Sequence, residues 1–148
     1  MSRKTSRECA FKIVFTTLFK NENVGENSDS IIDINANINI EEFSLENNLS
    51  SSEDFSFCNS LVIKTLENKK EINDILEKNI VGYNYDRVFK VDKAILMIAI
   101  CELKFMGEEG TIPVIINEAV ELSKKYSSEK SYSFVNGVLS KIVKEWYE

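Results

Sequence analysis

The chain has 148 residues, 43% hydrophobic and 28% charged, with a formal net charge of −6 and a pI near 4.9. That length suits a single domain with a real core, and the absence of histidine removes His-based triads, His general bases and most zinc sites at once. Cys9, Cys58 and Cys101 are dispersed and lack metal-ligand spacing, so they read as free thiols of a reducing cytoplasm, and no apolar run approaches the ~20 residues that span a bilayer or the pattern of a secretory leader.

The charge is unevenly spread. Residues 1–20 hold Arg3, Lys4, Arg7, Lys12 and Lys20 against Glu8, a balance of +4, whereas 21–60 contain nine acids and no base, and 61–148 come to −1. A basic end beside an acidic block implies two surfaces with different partners, or a solvated loop and tail with no task. In the first predicted element, "SRKTSRECAFKIVFTTLF" (2–19), Phe11, Val14, Phe15 and Leu18 form a helical stripe. Residues 21–52 are rich in Asn, Ser and acids, and read as a connection with a short second helix. The Ile/Asn alternation over 34–40 is the pattern of a strand, the alternative there.

A third helix is expected from Ser51 or Ser52 as N-cap, with Glu53 and Asp54 suiting the helix dipole and Phe57, Leu61, Ile63 and Leu66 along it. A fourth carries Ile72, Ile75, Leu76 and Ile80 and stops near Gly82. "YNYDRVFKV" leads into "DKAILMIAICELKF", apolar on most sides and therefore a central helix. After the "GEEGTIP" turn, Pro113 fits the first turn of the next helix, which runs through Ile115, Ile116, Ala119, Val120 and Leu122. The break "SSEKS" precedes a last helix with Phe134, Val135, Val138, Leu139, Ile142 and Trp146. The expectation is an all-α fold of about seven helices.

No element nominates an active site. "GEEG" has neither the spacing nor the following Lys-Ser or Lys-Thr of a phosphate loop, and Glu108–Glu109 sit in a turn. The candidates concern binding instead. Arg3, Lys4 and Arg7 can pair with phosphates, and Phe11 and Phe15 offer rings on which bases stack, although core packing is the plainer reading, more so for Phe11. Lys130, Tyr132 and Ser133 occupy a helix start, whose N–H groups favour anions. Gly137 falls mid-helix, at a cost of about 1 kcal/mol relative to Ala, and the simplest compensation is a close approach by a neighbouring helix.

The stretch "IPVIINEAVELSKKYSSEKSYSFVNGVLSKI" (112–142) resembles the C-terminal half of the NusB family of bacterial transcription antitermination and ribosomal RNA maturation factors. "VDKAILMIAICEL" (91–103) is similar to that family's central helix and "SRECAFKIVF" (6–15) to its Ala-Arg-Glu-x-Ala helix. The resemblance runs nearly end to end, apart from 21–52. It implies two packed three-helix bundles in one domain spanning 1–148, with subdomains of about 1–82 and 83–148.

It also implies a function. Such a factor is not an enzyme and needs no cofactor or metal. It binds a single-stranded boxA element of ribosomal RNA leaders together with the small-subunit ribosomal protein NusE, and the pair joins an RNA polymerase complex that resists termination. Carried over by position, Arg3, Lys4 and Arg7 match an arginine-rich RNA-contacting arm, Phe15 an aromatic near it, and Lys130, Ser133 and Phe134 further RNA contacts. Asp92 matches an acid of the NusE interface. Phe15 stands for a usual Tyr, Met97 for a common Arg and Cys101 for a common Tyr, while Lys130 stands where an acid is frequent; together these imply weaker phosphate attraction, partly offset by Lys130. The alternative is a helical module that keeps NusE binding without specific RNA binding. The family includes monomers and homodimers. NusB-like domains also open a family of RNA cytosine methyltransferases, but no catalytic domain or glycine-rich cofactor motif follows here.

Overall fold

The computed structural model describes residues 2–19, 52–80, 88–106, 111–128 and 130–147. Six α-helices carry them: α1 (Ser2–Phe19), α2 (Ser52–Glu67), α3 (Lys69–Asn79), α4 (Lys90–Cys101), α5 (Ile112–Tyr126) and α6 (Ser131–Tyr147). A π-helical turn, Glu102–Met106, continues α4. No strand occurs among the described residues, and the all-α class expected from the apolar spacing holds. The second helix expected within 21–52, and the strand alternative at 34–40, lie outside the described residues.

The chain divides into two compact units, Met1–Glu67 and Asn68–Glu148. This division falls earlier than the one expected near residue 82, because α3 packs on α4 and α6 and groups with them.

In the first unit α1 packs along α2. Cys9, Ala10, Phe11, Ile13 and Val14 of α1 are buried, as are Cys58, Leu61, Val62 and Leu66 of α2. These residues recur at three- and four-residue steps, so each helix turns one stripe inward. Thr65 is buried too, and its hydroxyl is satisfied by donating to the Leu61 carbonyl at 2.7 Å. Cys9 and Cys58 are buried free thiols hydrogen-bonded to each other. That bond pulls the Cys9 thiol below its ordinary value, while the same bond and burial push Cys58 up.

In the second unit α4 is the central element. Every residue from Ala94 to Cys101 is buried, and α3, α5 and α6 all pack on this helix. A segment apolar on all sides gains ~1.5–3 kcal/mol for each large aliphatic side chain it buries, provided other helices supply the cover. Facing residues include Ile72 and Leu76 on α3, Ile115 and Leu122 on α5, and Val135, Leu139 and Ile142 on α6. Pro113 lies in the first turn of α5, where its missing N–H is not needed.

The π turn is held from two sides. Lys104 pairs with Glu71 at 2.8 Å and lies 5.5 Å from the Trp146 ring, and the Tyr147 hydroxyl donates to the Leu103 carbonyl at 3.2 Å.

Gly137 departs from expectation. It is exposed in the middle of α6, and a Cβ built there meets nothing within 4 Å. No neighbouring helix approaches it among the described residues, so the propensity loss of ~1 kcal/mol has no packing return there.

Candidate functional site

The first candidate surface lies on the opening turns of α1. Arg3 and Lys4 are exposed in a first turn that has no acid. Cations at a helix N-terminus oppose the macrodipole at a cost of about 0.3–1 kcal/mol each. Local helix stability therefore does not account for them. Arg3 and Arg7 stand four residues apart on one face, and both reach Phe57 of α2: the Arg3 guanidinium carbon is 3.9 Å from the ring centroid and that of Arg7 5.6 Å. Arg7 is buried and partnered, so the predicted cluster separates into two exposed cations and one packed one.

Farther along α1, the rings of Phe11 and Phe15 lie 6.2 Å apart and tilted by 40°. Phe11 is buried and Phe15 partly exposed. Core packing thus claims the first, and a face of the second stays open to solvent.

The second candidate surface lies where α4 and α6 begin. Asp92, Lys130 and Phe134 line one cavity of about 360 Å³ together with Phe89 and Ser131. The sequence reading assigned Asp92 and the α6 pair to different partners, yet they share this depression. Lys130 is exposed at the rim, and Phe89 is 60% exposed. Asp92 is sunk, with 3% exposure, and its Oδ1 has no hydrogen-bond partner. Burial raises its carboxyl above the usual range, and the neighbouring hydroxyls of Ser127 and Ser131 partly oppose the rise. Those serines belong to a small network: Ser127 Oγ donates to Ser131 Oγ at 2.9 Å, Ser128 Oγ lies 2.9 Å from the same oxygen, and the Ser131 amide donates to the Ser128 carbonyl at 3.0 Å. "SSEKS" folds this way because short hydroxyl side chains bond locally at a helix start.

Ser133 is exposed outside this cavity. Phe57 and Phe89 were not singled out. Phe57 read as an apolar core position of α2, and Phe89 fell in a linker; only pairing between helices distinguishes them. No group of three potential metal ligands occurs among the described residues, and no described helix is long and apolar enough to cross a membrane.

These features define an all-α protein with an exposed basic helix start in one unit and a carboxylate-floored, aromatic-rimmed cavity in the other. The NusB family profile matches residues 4–144. The chain is 38% identical over 149 residues to the transcription antitermination protein NusB of Clostridium botulinum (strain Kyoto / Type A2), covering 97% of this chain and 100% of that one. It belongs to the NusB family. Among solved structures it is similar to antitermination factor NusB crystallised with NusE and double-stranded RNA (TM-score 0.76, 28% identity, 98% of each chain). It is also similar to NusB of T. maritima (TM-score 0.77, 28% identity, 97% of this chain and 91% of that one).

Proposed function

We propose that the chain acts in the cytoplasm as a non-enzymatic antitermination factor that binds boxA-type single-stranded RNA of ribosomal RNA leaders together with NusE. It thereby supports processive transcription and maturation of ribosomal RNA. The observation that carries the RNA reading is the exposure of Arg3 and Lys4 against the helix dipole on a chain of net charge −6. A local cationic patch attracts phosphate, while net negative charge discourages indiscriminate nucleic-acid binding. Arg3, Lys4 and Lys130 are the phosphate contacts, Phe15 and Phe134 the stacking rings, and Ser133 a hydroxyl contact. Arg7 supports the arm from beneath by packing against Phe57.

Asp92 serves NusE. Its unpartnered oxygen calls for an N–H or cationic donor, and the exposed Phe89 beside it offers apolar contact. A donor from the partner would satisfy that oxygen and hold the carboxylate ionised.

One observation favours the second reading, a protein-interaction module without specific RNA binding: burial of Arg7 leaves two exposed cations, Arg3 and Lys4, of the three in the basic arm. Fluorescence anisotropy separates the two. A boxA oligonucleotide and its scramble are titrated with parent and Arg3→Ala, with and without NusE, at two salt concentrations. Preference for boxA that sharpens with NusE, and an Arg3→Ala variant with weaker binding and a salt slope smaller by about one contact, are expected. Equal, feeble binding of both RNAs beside tight NusE binding refutes the RNA site.

A further inference from the structure

Lys124, Lys125, Lys130, Lys141 and Lys144 lie between Glu121 and Glu145 with Glu129 among them, a local excess of lysine in an acidic chain. Part of it flanks the outward face of α6, where Tyr132, Ser133, Asn136, Gly137, Ser140 and Lys141 are all exposed. They recur at three- and four-residue steps, so they form one continuous strip beside the helix start. Two depressions meet on this strip at Ser133, which lines both.

The larger, about 500 Å³, lies between α5 and α6 and is lined by Asn117, Lys124, Tyr132 and Asn136 among others. Tyr132 is 42% exposed, and the Lys124 ammonium sits 5.1 Å from its ring centroid. Lys124 also pairs loosely with Glu121 at 3.7 Å and stays half exposed. An open aromatic ring, a cation beside it and one amide on each helix are the groups that hold a nucleobase: a π-face to stack on, donors and acceptors for its edge, and a charge for its phosphate. The smaller depression, about 240 Å³, runs on past Gly137 to Lys141. At Gly137 the helix presents bare backbone with nothing within 4 Å of a Cβ. From Tyr132 to Lys141 the strip rises about 14 Å.

We propose that this strip of α6 is a second binding surface for single-stranded RNA, which takes nucleotides flanking those held at the helix start. One base stacks on Tyr132 between Asn117 and Asn136, and the sugar-phosphate backbone crosses Gly137 towards Lys141. The proposal rests on the RNA reading above. Lys124 and Lys141, which line the two depressions, with the exposed Lys130 beside them and the open ring of Tyr132, favour a single-stranded polyanion here over a protein segment.

The test compares a boxA core oligonucleotide with the same core extended by six nucleotides on each side. Anisotropy is measured for parent, Tyr132→Ala, Lys141→Ala, Gly137→Gln and Arg3→Ala, and thermal melts check folding. The parent is expected to bind the extended RNA more tightly than the core. Tyr132→Ala is expected to lose about tenfold on the extended RNA, the size of one base stack, with little change on the core. Gly137→Gln, whose added side chain enters open space and gains helix propensity over glycine, is expected to melt no lower than the parent and to weaken extended RNA alone. Arg3→Ala weakens both.

If the three α6 variants bind extended RNA like the parent while Arg3→Ala does not, the second surface is refuted and the RNA reading stands. If the α6 variants lose NusE affinity instead, the strip is a protein interface and the proposal is overturned. A parent that binds neither RNA overturns this proposal and the RNA reading together.

Discussion

Gly137→Ala isolates what α6 gives up by keeping a glycine on its exposed face. The position is interior to the Ser131–Tyr147 helix, six residues from its start and ten from its end, so end fraying does not dilute the effect. Beyond its own helix backbone the new methyl meets nothing within 4 Å, so there is neither an overpacking cost to subtract nor a packing gain to add. What remains is the helix-propensity difference, about 1 kcal/mol in favour of Ala. Urea unfolding is a suitable assay because Trp146, the chain's only tryptophan, lies on α6 itself and reports on the unit that is perturbed. With a slope of about 1–2 kcal/mol/M for a unit of this size, the midpoint is expected to rise by roughly 0.5–1 M at unchanged slope. A midpoint that stays put or falls at the same slope would refute the assignment of Gly137 to an open helix face.

Asp92→Asn probes the buried orphan oxygen. Burial raises the folded-state carboxyl value, so the native protein holds this proton more tightly than the unfolded chain. Its stabilising contribution is therefore complete below the unfolded carboxylate range near pH 4 and is lost as pH rises through the folded value. The variant is expected to be more stable than the parent by about 1 kcal/mol at neutral pH, with the difference closing on acidification; superimposable stability–pH curves would contradict this. Leu139→Ala empties a site with no solvent exposure on α6, and a loss of about 2–5 kcal/mol is expected in urea unfolding. A loss under about 1 kcal/mol would mean that the surrounding helices collapse into the space.

Elements whose burial is all-round or strictly periodic were readable from the chain alone. "AILMIAIC" could only be a central helix, because no single stripe accommodates eight consecutive apolar residues, and all eight are buried. Pro113 marked the start of α5 for an equally local reason. Pairing between helices was not readable. Arg7 looked like an exposed phosphate ligand in the chain alone; that it is buried, with its guanidinium 5.6 Å from the ring of Phe57 on another helix, follows from how α1 and α2 pair. Asp92 and Phe134 meet at one cavity for the same kind of reason. Gly137 was misread in the opposite sense. Its sequence cost was visible, but an absent neighbour and a close one leave the same trace in a chain, and only coordinates separate them.

The π turn after α4 makes chain length itself a conformational variable. A π turn holds one residue more than the α-helical ladder it interrupts, and each residue of helix turns the chain by about 100°. Removing one residue from Glu102–Met106 would let the ladder close in ordinary α register, and the rest of the turn beyond the excision would swing by about that angle. Lys104 could not then keep both Glu71 and the Trp146 ring, nor Leu103 its carbonyl under the Tyr147 hydroxyl. A substitution at Lys104 costs its two contacts but leaves the Leu103 carbonyl under Tyr147, whereas a single-residue deletion breaks them all together. This short segment should therefore tolerate changes of residue far better than changes of length.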